Sequence, residues 1–216
     1  MIQKYGLQYV VNHIAKPHPK KRRPGHALDW AMITIHATAN PRSKAAGERA
    51  WLDNSSNVND FVGWHLCVDD IQVIEAIPLN EVAWHAGDGL NGFGNRKTIG
   101  IEICESGDRR KTLDNAATLV AGLLYEKKKT VANIRQHHYW NKRTSCPAIL
   151  RANNNTEWNR FLSLVEKKLN ALNGTTKRVL VNGQQVIALS DDENLIKYVG
   201  DLIRDKKYPI QIIEIK

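Results

Sequence analysis

The sequence predicts an α/β fold: a single mixed β-sheet flanked by helices, followed by a small C-terminal ββαβ module. Two observations indicate this fold. Strand-like stretches, rich in β-branched residues that alternate with polar ones, are interleaved with amphipathic helical stretches, without any long repeat. After "LNGTTKR" the same kind of pattern starts again on a smaller scale. We therefore expect two domains, residues 1–173 and residues 174–216.

The first half of the chain alternates strands with a helix. "AMITIHATAN" predicts a buried strand that ends at His36. "NPRSKAAGERAWLDN" predicts a helix, with Asn40 as its N-cap and Pro41 in its first turn. "FVGWHLCVDDIQVIEAIPL" predicts two strands joined as a hairpin at Asp69 and Asp70.

The strand predicted in "TIGIEICES" has two different faces. Its alternation places three isoleucines on one face and Glu102 with Cys104 on the other. Cys104, like Cys67 in "WHLCVDD", lies in an apolar run, where a free cysteine is typically a small core residue. Glu102 is the lone carboxylate of its strand, and burying a carboxylate is costly unless it faces a functional cleft or a paired cation such as Arg96.

The second half supplies two long helices and the small module. "TLDNAATLVAGLLYEKKK" and "TEWNRFLSLVEKKLNAL" predict amphipathic helices, with a short strand, "VANIRQH", between them. In the module, Asn182 and Gly183 indicate a hairpin turn. Ser190 and Glu193 form a capping box that opens a helix, and "PIQIIEI" predicts a final strand.

Composition and charge indicate which classes of partner the protein is expected to bind. The 216 residues carry a formal net charge of +9 and contain no apolar run long enough for a membrane span. The N-terminal stretch has no signal-peptide pattern, so we expect synthesis in the cytoplasm. The basic segment "KPHPKKRRPG" is either a solvated loop or a contact for an anionic partner. Because no nucleic-acid-binding motif accompanies the charge, we expect no nucleic-acid partner.

The stretch "IRQHHYWNKRTSCP" holds two adjacent histidines and a cysteine. It is either a surface loop with a buried cysteine or half of a metal site. A hydrolytic zinc site needs three protein ligands and one open position. His36, which ends a strand among small polar residues, would supply the third ligand; otherwise it is a hydrogen-bonded core or rim residue. The spacing to Cys146 allows either His137 or His138 as its partner.

Five motifs together resemble a known family. "ITIHATAN", "WHLCVDD", "IPLNEVAWHAGDG", "GNRKTIGIEIC" and "QHHYWNKRTSCP" occur in the order seen in zinc-dependent N-acetylmuramoyl-L-alanine amidases. This is the family of many phage or prophage endolysins and Bacillus wall-lytic amidases, related in fold to peptidoglycan recognition proteins. The resemblance covers residues 32–147. It implies one Zn²⁺ cofactor, bacterial peptidoglycan as partner, and hydrolysis of the amide between N-acetylmuramic acid and L-alanine of the stem peptide.

The resemblance also assigns the metal and catalytic residues. His36 matches the first zinc ligand and Cys146 the third. His137 is the expected second ligand, because Trp140 follows it at the family's spacing. His138 is the alternative, since it restores the commoner distance to the cysteine. Glu102 matches the catalytic glutamate, a general base.

The remaining site residues are expected to bind substrate. His65 lies in a motif where the family often has a tyrosine before it, but Trp64 stands there, so that hydroxyl is missing. Trp84 and His85 are expected to shape the substrate groove. Thr144 replaces the lysine that commonly stabilises the oxyanion in the family.

Several expectations remain alternatives at this point. Lys142 or Arg143 is a substitute for the missing oxyanion lysine if the loop is longer than usual. The C-terminal module is expected to bind the wall, with dimerisation as its alternative. A noncatalytic peptidoglycan-binding protein is the alternative to the enzyme. Without a signal peptide, the chain is expected to reach the wall after holin- or lysis-dependent release.

Overall fold

The computed structural model describes residues 2–54 and 61–174, together with the strands at 176–181, 184–189 and 210–215. The chain divides into two compact units, Met1–Val165 and Glu166–Lys216. Among the described residues, no helix has the length and apolar character needed to cross a membrane. The domain boundary predicted at residue 174 stays a prediction.

A seven-stranded mixed sheet forms the first unit, in the order β1-β2-β5-β4-β6-β3-β7. Two neighbouring pairs, β1 with β2 and β4 with β5, are antiparallel, and the other neighbours are parallel. This confirms the single mixed sheet. The strands are β1 (Ile2–Lys4), β2 (Leu7–Val11), β3 (Met32–Ala37), β4 (Leu66–Val68), β5 (Val73–Glu75), β6 (Thr98–Ile103) and β7 (Ile134–Gln136).

Helices flank the sheet as predicted. They are α1 (Ala45–Asp53), α2 (Phe93–Lys97), α3 (Arg109–Glu126), the single turn α4 (His137–Trp140) and α5 (Ala148–Leu172), which is interrupted by non-helical residues at 152–155. Helix α1 contacts β4 and β5, and shares a buried cluster with Cys67 and Cys104. Helix α3 contacts β2, β4 and β6. Because the isoleucines of β6 are fully buried on the face away from Cys104, α3 covers that face.

The start of α1 differs from the prediction. The helix begins at Ala45, and Asn40 does not cap it. The Asn40 side chain is engaged elsewhere: its Oδ1 accepts from the Arg42 N–H at 3.2 Å, and its Nδ2 donates to Glu48 at 3.1 Å. The Ala45 N–H donates to Asp69 Oδ2 at 3.0 Å instead. A carboxylate from the β4–β5 turn therefore replaces the local cap, which the sequence around the helix does not reveal.

The basic segment near the N-terminus is largely structural. Arg22 is 0% exposed, and its Nη1 donates to three backbone carbonyls at the end of α1, at 3.1, 2.6 and 3.2 Å. Arg23 forms a two-pronged ion pair with Glu81, both bonds measuring 2.8 Å. The interpretation as a wholly solvated loop is therefore wrong for these two arginines, which join the segment to the domain.

Other local predictions have mixed outcomes. The hairpin at Asp69 and Asp70 is confirmed by the antiparallel pairing of β4 with β5. Cys67 and Cys104 are both 0% exposed, which confirms them as core residues. The N-terminal hairpin of β1 and β2 was not predicted. Its turn uses Tyr5 and Gly6, with φ of +56° and +78°, and β2 also pairs with β5, which lies far away in sequence.

The second unit contains a three-stranded antiparallel sheet in the order β10-β8-β9. Its strands are β8 (Thr176–Val181), β9 (Gln184–Leu189) and β10 (Ile210–Ile215). The predicted hairpin and final strand are confirmed. The predicted capping box at Ser190 and Glu193, and the helix that it opens, lie outside the described residues.

Candidate active site

A cavity of about 650 Å³ opens next to the carboxyl ends of β3 and β6. The strands are parallel and pair His36 with Glu102, so both side chains project from the same face of the sheet. Crevices at the carboxyl ends of parallel strands are common ligand sites. The lining includes His36, Phe61, Trp64, Trp84, His85, Leu90, Asn95, Glu102, His137, Asn141, Thr144 and Cys146.

Three side chains with metal-ligand atoms converge at the floor of this cavity. His36, His137 and Cys146 place one such atom each within 4.8 Å of the others. Cys146 Sγ lies 3.8 Å from His36 Nδ1, and the two imidazole rings have centroids 4.4 Å apart. The structure thus brings together the three residues that the sequence analysis preferred. His36 comes from β3, next to the edge strand of the sheet, whereas the other two come from the turn α4 and the loop after it.

Hydrogen bonds determine which ring nitrogen of His36 and of His137 carries the lone pair that is free to bind a metal. His85 Nε2 lies 3.2 Å from the Thr98 carbonyl and must donate to it. His85 Nδ1 therefore accepts from His36 Nε2, at 3.1 Å, and the lone pair of His36 is on Nδ1, facing the sulfur. His137 Nε2 likewise donates to the Ala86 carbonyl at 3.1 Å. Both histidines are thus prepared to offer Nδ1 to a cation, with the opposite nitrogen held by the protein.

The position of His85 depends on a glycine in the neighbouring strand. A Cβ on Gly100 would lie 2.6 Å from Cγ of the His85 ring, so only glycine leaves room for that ring. Asn95 holds the backbone on the other side, where its Oδ1 accepts from the N–H groups of His85 and Ala86, both at 2.8 Å. Gly100 and Asn95 were not predicted as site residues, although "GNRKTIGIEIC" contains both.

Burial keeps the cluster electrically neutral. It lowers the pKa of His36 and His85 well below the usual histidine value, and the neighbouring histidines lower both pKa values further. Burial also lowers the pKa of His137. The pKa of Cys146 is raised to about 12, by burial and by Glu102. Neutral imidazoles are ready to bind a cation, whereas the thiol becomes a ligand when a cation displaces its proton.

Glu102 lies beside this cluster with an unsatisfied oxygen. Its Oε1 is 3.9 Å from His36 Nδ1, and its buried Oε2 has no hydrogen-bond partner among the described residues. Burial, followed by the charges of Glu48 and Glu105, raises the pKa of Glu102 to about 8. A carboxyl group of this kind takes up and releases protons near neutral pH.

The alternative of an ion pair between Glu102 and Arg96 is wrong. The Arg96 guanidinium donates through Nε to the Leu90 carbonyl at 2.7 Å. It also stacks over the Trp84 ring, 5.4 Å from its centroid. Arg96 therefore supports one wall of the cavity, where Trp84 and Leu90 lie, and within the described part of the chain no lysine or arginine forms a salt bridge with Glu102.

His138 faces away from the cavity. Its Nδ1 donates to the Thr144 carbonyl at 2.6 Å, and its backbone N–H donates to the Cys146 carbonyl at 2.9 Å. The Thr144 hydroxyl accepts from the Cys146 N–H at 3.1 Å. His138 and Thr144 thus hold the loop that positions the cysteine, and Thr144 also lines the cavity.

Two expectations about the cavity need correction. His65 does not line it: the ring is 0% exposed, Nε2 donates to the Glu81 carbonyl and Nδ1 accepts from the Gly100 N–H, both at 2.9 Å. Burial lowers the pKa of His65 to about 4, so this ring is a neutral connection within the core. Lys142, the alternative to the oxyanion lysine, lies 5.3 Å from the Tyr139 ring centroid and lines a different cleft. Trp84 and His85 line the cavity as expected.

Three convergent metal-ligand side chains beside a carboxyl group with a raised pKa are the components of a metallohydrolase site. Comparison with known proteins gives the family. The chain belongs to the N-acetylmuramoyl-L-alanine amidase family, whose model matches residues 26–149, more than half of the chain. Members of this family are metal-dependent in general.

Individual relatives agree with this assignment. The chain is 40% identical over 149 residues to the N-acetylmuramoyl-L-alanine amidase CwlH of Bacillus subtilis, covering 68% of this chain and 57% of CwlH. It is also 40% identical over 177 residues to CwlA of the same organism, covering 80% of this chain and 57% of CwlA. The chain therefore spans about half the length of the curated relatives it matches.

Solved structures support the fold over most of the chain. The catalytic domain of XlyA superposes with a TM-score of 0.65 at 37% identity, covering 74% of this chain and 99% of that domain. PlyL superposes with a TM-score of 0.66 at 31% identity, covering 75% of this chain and 99% of PlyL. The α/β fold with one mixed sheet is thus that of endolysin catalytic domains.

Proposed function

We propose that the chain is a zinc-dependent peptidoglycan hydrolase that cleaves the amide bond between N-acetylmuramic acid and L-alanine of the stem peptide. The observation that carries this proposal is the convergence of His36, His137 and Cys146 next to the unpaired carboxyl of Glu102. The shared family and the names of the relatives give the bond that is cleaved. Bacterial peptidoglycan is accordingly the proposed partner.

The donor set fits zinc. Two imidazole nitrogens and one thiolate are ligands that Zn²⁺ prefers, and three protein ligands leave one position open, as catalytic zinc sites require. With ordinary zinc–nitrogen and zinc–sulfur distances, two ligand atoms of a tetrahedral site lie about 3.6 Å apart. The 3.8 Å between His36 Nδ1 and Cys146 Sγ is close to this value. A bound cation would also lower the pKa of the neighbouring Glu102 and Cys146.

Glu102 is the proposed general base, and its protons balance over the reaction. Bound zinc would supply Lewis acidity to the scissile carbonyl and to the attacking water. The Glu102 carboxylate takes one proton from that water as the oxygen attacks the carbonyl carbon. It then returns this proton to the leaving nitrogen of L-alanine, so the carboxylate is regenerated. Burial raises the pKa of Glu102, and this higher proton affinity favours the second step.

Other cavity residues are proposed to bind the substrate. Trp84, with Arg96 behind it, offers a flat apolar wall for the sugar or peptide. Phe61 and Leu90 extend this surface at the rim, where they are 43% and 54% exposed. Thr144 contributes a polar group beside Cys146. His85 acts on the substrate indirectly, because both of its ring nitrogens bind protein atoms.

A noncatalytic peptidoglycan-binding role is less well supported. Such a protein needs neither the thiol of Cys146 nor an unpaired buried carboxyl. Burying Glu102 costs free energy, and this cost is explained if the carboxyl takes part in a reaction.

The C-terminal unit is proposed to bind the wall. Truncation after Gly174 should weaken binding to purified walls and leave the metal content unchanged, and undiminished wall binding would contradict this role.

Amine release from purified peptidoglycan tests the proposed reaction. The cleavage we propose exposes new N-terminal alanine without producing new reducing sugar ends. Labelling the new amines and identifying the labelled residue gives the bond directly, and a reducing-end assay on the same digest is the control. New reducing ends, or amines on residues other than alanine, would assign a different cleavage. If the protein bound to walls and released no new amines, the noncatalytic alternative would be favoured.

A further inference from the structure

A second cleft lies on the other side of the turn α4. We call it the β7 cleft; its volume is about 430 Å³, within the range of ligand sites. The adjacent histidines separate the two openings: His137 lines the catalytic cavity and His138 lines the β7 cleft. The lining consists of Val131, Ala132, Ile134, Arg135, Gln136, His138, Tyr139, Lys142, Trp158 and Leu162.

The cleft opens along the edge of the sheet. Strand β7 is the last strand in the order, and within the described residues it pairs only with β3. All three of its residues, Ile134–Gln136, line the cleft. Successive side chains of a strand point to opposite faces, so an opening that meets three in a row must approach the strand from its edge. An unpaired strand edge binds extended peptides through backbone hydrogen bonds.

The charge of the β7 cleft favours an anionic occupant. None of its lining residues is acidic, whereas Arg135 and Lys142 are cations. Both stack on the half-exposed Tyr139 ring, at 5.1 and 5.3 Å from its centroid. The Arg135 guanidinium is held further by Nη1 bonds to the carbonyls of Ala132 and Ile134, at 2.9 and 2.8 Å, so the Ile134 carbonyl of β7 already has a partner and a peptide would pair with the other backbone groups of the strand. Both charges are therefore held beside the same ring before any ligand arrives, which lowers the entropy lost on binding.

The floor of the β7 cleft is apolar, which excludes a purely ionic ligand. Ile134 is 3% exposed and Trp158 is 9% exposed, and Leu162 lies one helical turn after Trp158. Small apolar side chains can cover this floor while carboxylates reach the cations. A short peptide with methyl side chains and free carboxylates has both properties, whereas a polyol phosphate chain lacks the apolar part.

We propose that the β7 cleft binds a short anionic peptide in an extended conformation, with its backbone along β7 and a carboxylate between Arg135 and Lys142. The inference rests on the proposed function for its source: the alanine-rich, carboxylate-bearing stem peptides of peptidoglycan. The ligand is a stem peptide other than the one in the catalytic cavity. The β7 cleft thus holds the enzyme on peptide-rich wall beside the bond being cut.

A titration monitored by NMR tests this binding in the full chain. The probe is the tetrapeptide L-Ala-γ-D-Glu-L-Lys-D-Ala, which has no bond for the enzyme to cut, and the same peptide with amidated carboxyls is the control ligand. We expect shifts of the β7 amides and the Trp158 indole. Amidation should weaken binding at least tenfold. Oligomeric glycerol phosphate is titrated in parallel.

A matched pair of variants separates the cleft from general charge. Arg135→Gln/Lys142→Gln should weaken tetrapeptide binding at least tenfold. Arg110→Gln/Lys111→Gln removes the same charge from the exposed start of α3 and should leave binding unchanged. Equal unfolding midpoints for both variants establish that each is folded. Equal affinities in the two variants, or shifts confined to the catalytic cavity, would overturn the proposal.

Two further results have definite meanings. Tighter binding of glycerol phosphate than of the tetrapeptide would overturn the peptide assignment and make the cleft a phosphodiester site. Amine release from walls is measured on the same protein samples. Normal release without tetrapeptide binding in the cleft refutes this inference alone, whereas binding without release refutes the proposed hydrolase alone.

Discussion

Replacing Glu102 by glutamine should stabilise the metal-free protein and abolish hydrolysis. The substitution keeps the shape of the side chain and removes its ability to ionise. In the catalytic reaction the glutamine cannot take up a proton, and loss of a general base typically lowers rates by about 10²–10⁴-fold. The gain in stability follows from the surroundings of the carboxyl, whose buried Oε2 has no partner among the described residues.

The size of this stability gain follows from the pKa of Glu102. Burial raises it from 4.5 to about 8, so the folded chain holds this proton more tightly than the unfolded chain does. Ionisation of Glu102 therefore does not lower the free energy of unfolding of the wild type below pH 4.5. As the pH rises from 4.5 toward 8, this ionisation lowers the free energy of unfolding progressively. Each pH unit in this window costs about 1.4 kcal/mol at most. Because the side chain is 18% exposed to the cavity, water reduces this loss. We expect the glutamine variant to be more stable by about 2 kcal/mol at pH 7.

Urea denaturation in the presence of a chelator measures this difference. The wild type and Glu102→Gln are compared at pH 4.5 and pH 7, and the gap in unfolding free energy should open only at the higher pH. Glu166→Gln is the control, because Glu166 is exposed on α5, does not line the cavity and does not contribute to the raised pKa of Glu102. If the free energies of unfolding of wild type and Glu102→Gln changed in parallel with pH, the claim that burial raises the pKa of Glu102 would be refuted. Hydrolysis within tenfold of wild type would refute its role as the base.

Three other pairs of substitutions test the site and the packing of the fold. His137→Ala should lower zinc affinity at least 100-fold, and His138→Ala should lower it less than tenfold. Competition with a chromophoric chelator measures both affinities. The reverse order would mean that His138, and not His137, is the zinc ligand. His85→Leu should weaken zinc binding about 10–100-fold. His85→Gln, whose side chain can still accept and donate hydrogen bonds, should restore most of the affinity. Equal zinc affinities of the two variants would show that His85 does not orient His36. Arg22→Ala should lower the free energy of unfolding by about 3 kcal/mol, because the buried guanidinium loses its three bonds to backbone carbonyls. Exposed Arg42→Ala should change it by less than about 0.5 kcal/mol.

The parts of the fold with strong local patterns were predictable. The alternation in "TIGIEICES" correctly placed Glu102 on the face opposite the isoleucines of β6. The hairpin of β4 and β5 followed from its two turn aspartates. Long amphipathic helices were equally clear, since their apolar stripe repeats over several turns.

What could not be predicted depends on contacts between distant residues. Asp69 caps α1 from another element, and Arg22 is buried because carbonyls at the end of α1 surround it. The same holds within the site. Spacing left His137 and His138 equivalent, and only the turn α4 directs one ring toward the cavity and the other toward the β7 cleft. His65 fits a site motif in the sequence, yet the folded chain uses both of its ring nitrogens for the backbone.

Metal content and activity, followed together, test the central claim most directly. The protein is purified, its zinc content is measured, and alanine amine release from peptidoglycan is recorded before chelation, after chelation and after zinc is returned. We expect one zinc per chain, loss of release on chelation, and recovery with zinc. In Cys146→Ser, zinc content and release should fall together. Full release from a chain that contains no zinc would contradict the account.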